Sequence, residues 1–174
     1  MSRVIRTAVV LVIVLSWSSI SLAQSRRGPS TPDERATAVK AAKLLESDPF
    51  AKDAPRMRQW FTQWLIEVPD ISVQACTKFF GSAGEKKYRY SSELLTQSMF
   101  SGAAFIIEHP DVARDRSAVN VAGVEGALRM YGAMVRTDPK AQNEFLDQLS
   151  ARLEKGELRA YVEQMARTDC RGRN

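Results

Sequence analysis

Apolar residues at Met57, Trp60, Phe61, Trp64, Leu65 and Val68 recur at i, i+3, i+4, i+7, i+8 and i+11. That spacing puts all six on one stripe of an α-helix, while Arg56, Arg58, Gln59, Gln63 and Glu67 fall on its other faces. A stripe this wide must be covered by a second layer of structure. Asp53 or Ala54 precedes the helix start and Pro69 ends it.

The same pattern of caps and stops repeats along the chain. Thr31 followed by Pro32 and Glu34 is a capping box with a proline start, which predicts a helix over 32–47 that stops before Asp48-Pro49. A short helix around 71–80 would turn Val73, Cys76, Phe79 and Phe80 inward, with Gly81 and Gly84 marking a loop. A largely apolar helix follows over 91–108, and a longer one over 117–137 starts at Ser117. The longer one has apolar residues on more than one face, which predicts a central position. Both carry small-residue patches, at 102–104 and 122–127, and these are predicted to pack together. Asp138-Pro139 starts the next helix, Gly156 ends it, and the last runs over 157–168.

No segment shows strand alternation bounded by turn signals. The expectation is an all-α fold, an irregular bundle or small α/α array of about seven helices, in one domain over 31–170. Residues 24–30 read as a flexible leader and 171–174 as a frayed tail. Ala127-Leu128-Arg129-Met130-Tyr131 before Thr137-Asp138-Pro139 resembles the second helix of a tetratricopeptide repeat, and Ala41–Leu45 before Asp48-Pro49 gives a fainter likeness. Such repeats recur at about 34 residues. Pro49 and Pro139 are 90 positions apart, so no repeat array is expected.

Ahead of this domain lies a different kind of segment. Arg3 and Arg6 precede an unbroken aliphatic run over Ala8–Leu15, serines then dilute it, and Ser21-Leu22-Ala23 puts small residues at the −3 and −1 positions of a cleavage site. That is the pattern of a secretory signal peptide cut after Ala23, too short and serine-rich for a membrane span. Its removal would lower the formal charge from +5 to +3, since it takes two arginines and no acid. Export would expose Cys76 and Cys170 to oxidation, and an even cysteine count favours their pairing.

The chemistry-bearing residues are few. His109 is the only histidine, and its position at a helix end predicts a structural or solvated role. No nucleophile-elbow, zinc-ligand, CxxC or phosphate-loop motif occurs, and Gly81-Ser82-Ala83-Gly84 lacks the Lys-Ser/Thr ending of a phosphate loop. No catalytic residue, metal or cofactor is therefore assigned. Trp60 and Trp64 lie one turn apart and are assigned mainly to the core, with any exposed part forming an interaction groove. Glu85-Lys86-Lys87-Tyr88-Arg89-Tyr90 interleaves cations with aromatics. Lys86, Lys87, Arg89, Arg171 and Arg173 are the anion-binding candidates, and Trp60, Trp64, Tyr88 and Tyr90 the aromatic surface candidates. A Cys76–Cys170 bond would gather the first group with Lys78 and Arg167 at one end of the molecule. The expected partner is an acidic protein surface, a lipid headgroup or a polyanion. The leading expectation is thus an exported, non-catalytic interaction module. The alternatives are a small exported enzyme with a site assembled across helices, and a carrier of an apolar ligand held between the small-residue helices.

Overall fold

The computed structural model describes residues 27–170; the signal segment and the tail carrying Arg171 and Arg173 lie outside the described residues. Six α-helices form: α1 Pro32–Ser47, α2 Ala54–Glu67, α3 Ser91–Glu108, α4 Arg116–Thr137, α5 Glu144–Glu154 and α6 Leu158–Thr168. Two 3-10 segments, Thr77–Gly84 and Pro139–Ala141, link them, and no strand occurs among the described residues. The fold is all-α with one disulfide, as the residue pattern predicts.

Local chemistry sets most boundaries. The Thr31 hydroxyl accepts the Glu34 N–H at 3.3 Å and the Glu34 carboxylate accepts the Thr31 N–H at 2.9 Å, which completes the predicted capping box. At α4 the Asp115 carboxylate accepts the N–H groups of Ser117 and Ala118. Two boundaries differ from expectation. Residues 71–76 carry no helix, and the helical turns begin only at Thr77 and are of 3-10 type. They run through Gly81, whose φ of 48° breaks the segment into two turns. The helix expected to start at Pro139 is split: Asp138 caps a single 3-10 turn, and Asn143 then caps α5 by accepting from the N–H groups of Phe145 and Leu146.

α3 and α4 are the antiparallel centre of the molecule, and their approach is very close. A methyl group on Gly123 would fall 2.5 Å from the Ser98 carbonyl oxygen, and one on Gly126 would fall 1.9 Å from the Ser101 hydroxyl. The small-residue stretches thus lie on the α3–α4 contact but not opposite each other as expected: Gly123 and Gly126 face Ser98 and Ser101, and Gly102 faces Val119.

Two apolar clusters flank this pair. On one side α1, α2 and α3 enclose Leu45, Phe61, Trp64 and Phe100, with the rings of Phe61 and Phe100 stacked at 4.0 Å. Each fully buried ring contributes about 1.5–3 kcal/mol through burial. On the other side α4, α5, α6 and the first 3-10 segment enclose Phe80, Met130, Met134, Leu146 and Leu158. The Cys76–Cys170 bond belongs to this second cluster and joins Cα atoms 5.7 Å apart across 94 positions. A polar chain running from the core to the surface ties α1 to the centre. The Gln97 amide donates to the Ala42 carbonyl and to Ser101, Ser101 donates to Glu46, and Glu46 accepts two bonds from Arg129.

Candidate functional site

The predicted basic-aromatic loop is largely committed to the fold. The Tyr88 hydroxyl donates to the Ala141 carbonyl at 2.6 Å, and the Tyr90 hydroxyl donates to Asp138 at 2.9 Å. Burial pushes both phenols above their ordinary pKa. The Tyr90 hydrogen bond, with the Lys140 N–H and Arg89, holds the Asp138 carboxyl below the usual range. Arg89 lies 4.8 Å above the Tyr90 ring and 3.7 Å from Asp138. Lys86 and Lys87 are exposed and form no ion pair among the described residues.

Among the described residues, the 85–90 loop and Arg167 pack on different segments. The 85–90 turn packs on the segment after α4, through Asp138 and Ala141. Cys170 and Arg167 instead line a polar hollow with Gln74, Arg116 and Asn120, near the start of α4. Most of a helix of 22 residues, about 33 Å long, separates them. The disulfide forms with Arg167 nearby, but the 85–90 loop packs instead on Asp138 and Ala141; Arg171 and Arg173 lie outside the described residues. Lys78 is exposed on the segment between. Periodicity gives each helix its inward face but cannot say at which end of the bundle two loops meet.

His109 caps the end of α3 with its ring 4.6 Å from Phe105, is exposed, and borders none of the larger cavities. Among the described residues no group of three or more His, Cys, Asp or Glu side chains is placed to hold a metal. Between α3 and α4 the enclosed space is about 10 Å³, lined by Ser98, Gly102, Val119 and Gly123 among others, which holds one water at most. An apolar ligand does not fit between the small-residue helices as they stand.

The tryptophans divide. Trp64 is 2% exposed and belongs to the core, whereas Trp60, stacked on it at 5.9 Å and 16°, is half-buried. The outer part of Trp60 borders two adjoining hollows. One is an open groove of about 530 Å³ between α1 and α2, lined by Ala41, Leu44, Met57 and Trp60 with Lys40 and Arg56 at its rim. Leu44 is 43% exposed there, and neither Lys40 nor Arg56 is ion-paired among the described residues. The other, of about 610 Å³, mixes apolar and polar surface and borders Trp64, with Arg27, Glu34, Arg56, Gln59, Gln63 and Glu67 around it.

The sequence singled out Trp60 but missed the groove. Leu44 and Lys40 are on a different helix from Trp60, and only the α1–α2 packing brings them to it. No family model, curated protein or solved structure matches the chain at a significant level. No described helix is long and apolar enough to cross a membrane.

Proposed function

We propose that this chain is an exported, non-catalytic interaction module whose working surface is the α1–α2 groove, and that its partner is an amphipathic helix with acidic flanks. The groove carries the reading: an open, nearly all-apolar trough flanked by two cations that have no carboxylate partner among the described residues. Open troughs of this kind accept the apolar face of a helix through residues at i, i+3, i+4 and i+7. The groove falls within the size of small-molecule pockets, but its open side favours a partner that brings its own second face. Lys40 and Arg56 favour acidic residues along the edges of that helix and would slow or reject a basic one. The signal-type pattern of residues 1–23 and the disulfide support export.

The test uses a synthetic amphipathic peptide of about 18 residues, leucine on one face and glutamate at its borders, with a lysine-bordered version as control. Trp60 fluorescence reports binding. The acidic peptide is expected to bind and the basic one to bind at least tenfold more weakly. Leu44→Asp is expected to abolish binding without changing helix content. Equal binding of both peptides, or by Leu44→Asp, would overturn the proposal. So would adsorption to anionic vesicles with no peptide binding, which would make lipid headgroups the partner.

A further inference from the structure

The stretch between α2 and the first 3-10 segment leaves its main chain unspent. Among the described residues, no main-chain N–H or C=O of residues 71–75 forms a hydrogen bond, either with backbone or with a side chain. Main-chain groups without a protein partner are left to water or to a ligand. The stretch is nevertheless held in place. Cys76 is tied to Cys170 by the disulfide, and at the other end Asp70 accepts from Ser30 and Arg35. Between them the Gln74 carboxamide donates to the Cys170 carbonyl at 2.6 Å and accepts from Asn120 at 2.9 Å. Free main-chain groups on a fixed, non-helical backbone are what a second, extended chain needs in order to pair.

Val73, Gln74 and Ala75 form one wall of the hollow that Cys170 lines, about 720 Å³ in volume, and the start of α4 and the end of α6 form the others. Arg116 and Arg167 stand on those two helices, exposed and without an ion pair among the described residues. The carboxylates beside them are engaged by other donors. Asp115 accepts two N–H groups of α4, and Glu163 accepts from Ser117 and Arg159. Of the three charged side chains that line the hollow, two are therefore free cations, and the one carboxylate is matched by Arg159. The Asn120 carboxamide, 8% exposed, keeps its carbonyl oxygen without a donor among the described residues, which suits a peptide N–H. We propose that this hollow receives an extended acidic peptide, which pairs with the main chain of residues 72–75 and sets its carboxylates on Arg116 and Arg167. Four paired residues span about 13 Å, at about 3.3 Å each. The main chain supplies affinity, and the guanidinium forks select carboxylates through two-bond geometry. The receiving backbone is already fixed, so little ordering is asked of it. None of these residues lines the α1–α2 groove, so the two docking sites are separable.

End-blocked peptides of about six residues, alternating valine with glutamate or valine with lysine, are titrated by calorimetry. The acidic peptide is expected to bind, and the basic one to bind about tenfold more weakly or worse. At saturation, hydrogen exchange at the amides of residues 72–75 should slow. Two further acidic peptides carry N-methyl groups, one on its valine nitrogens and the other on its glutamate nitrogens. Alternate N–H groups of a strand face opposite edges, so one methylated peptide should lose about tenfold in affinity and the other should keep it. Arg116→Gln combined with Arg167→Gln, both at exposed positions, should weaken binding about tenfold with helix content unchanged. Leu44→Asp should leave this binding unaltered even where it abolishes binding of the helical peptide. Absence of binding at millimolar concentration would overturn the inference. So would full affinity in both methylated peptides, or unchanged exchange at residues 72–75, since either result would reduce the hollow to a plain anion site.

Discussion

Single atoms decide how the two central helices meet. At Gly126 a methyl group would fall 1.9 Å from the Ser101 hydroxyl and 2.6 Å from Glu46, two side chains held by their mutual hydrogen bond. At Gly132, on the same helix, the nearest neighbour is the tip of Arg136 at 3.6 Å. Both substitutions to alanine gain about 1 kcal/mol of helix propensity. Gly126→Ala is expected to lose about 1–3 kcal/mol net through forced separation of α3 and α4, while Gly132→Ala is neutral or stabilising. Urea midpoints at constant m-value measure the difference; equal midpoints would refute the close seam. The two small-residue patches were visible in the sequence because glycine inside a helix is costly. Their register was not, because composition says that backbones approach and not which residues oppose. Trp64 and Tyr90 show the same limit: their side chains can serve a surface or a core, and only neighbours on other elements decided for the core.

At the level of elements, starts and stops that rest on one residue's chemistry were readable and those that rest on tertiary context were not. Thr31, Pro32 and Glu34 specify the start of α1 locally. Residues 71–76 have inward apolar positions that suit a helix, yet they are held by other contacts, including Gln74 donating to the Cys170 carbonyl at 2.6 Å. Asn143 takes over the start of α5 from Pro139 because its carboxamide satisfies two N–H groups at once. A similar local device fastens the chain ahead of α1. Asp70, just after α2, accepts from the Ser30 N–H and hydroxyl and from Arg35. Burial raises its pKa, but those three donors outweigh it and hold the value at about 2. The folded value is below the unfolded one, so this fastening is present above about pH 4 and is lost as pH falls from 4 towards 2. Asp70→Asn should therefore flatten the acid limb of the stability curve by an amount on the order of 1 kcal/mol, reduced by solvent screening. Thermal melts of both proteins between pH 2 and 6 measure it, and identical acid limbs would rule the fastening out.

For the molecule as a whole, the sequence indicated a single helical domain but not its division into two clusters sharing α3 and α4. The disulfide serves only the cluster built by α4, α5 and α6. Replacing both cysteines by serine should cost about 2–4 kcal/mol. Hydrogen exchange should rise first over α6 and the first 3-10 segment while α1 and α2 stay protected. Uniform loss of protection across the chain would show that the two clusters unfold as one. The α3–α4 contact has a consequence for binding as well. Where Gly123 meets the Ser98 carbonyl, no side chain lies between the two rods to deform, so they serve as a stiff spine beneath the trough. The receptor surface is then set in advance, and most of the ordering entropy of complex formation falls on whatever settles there.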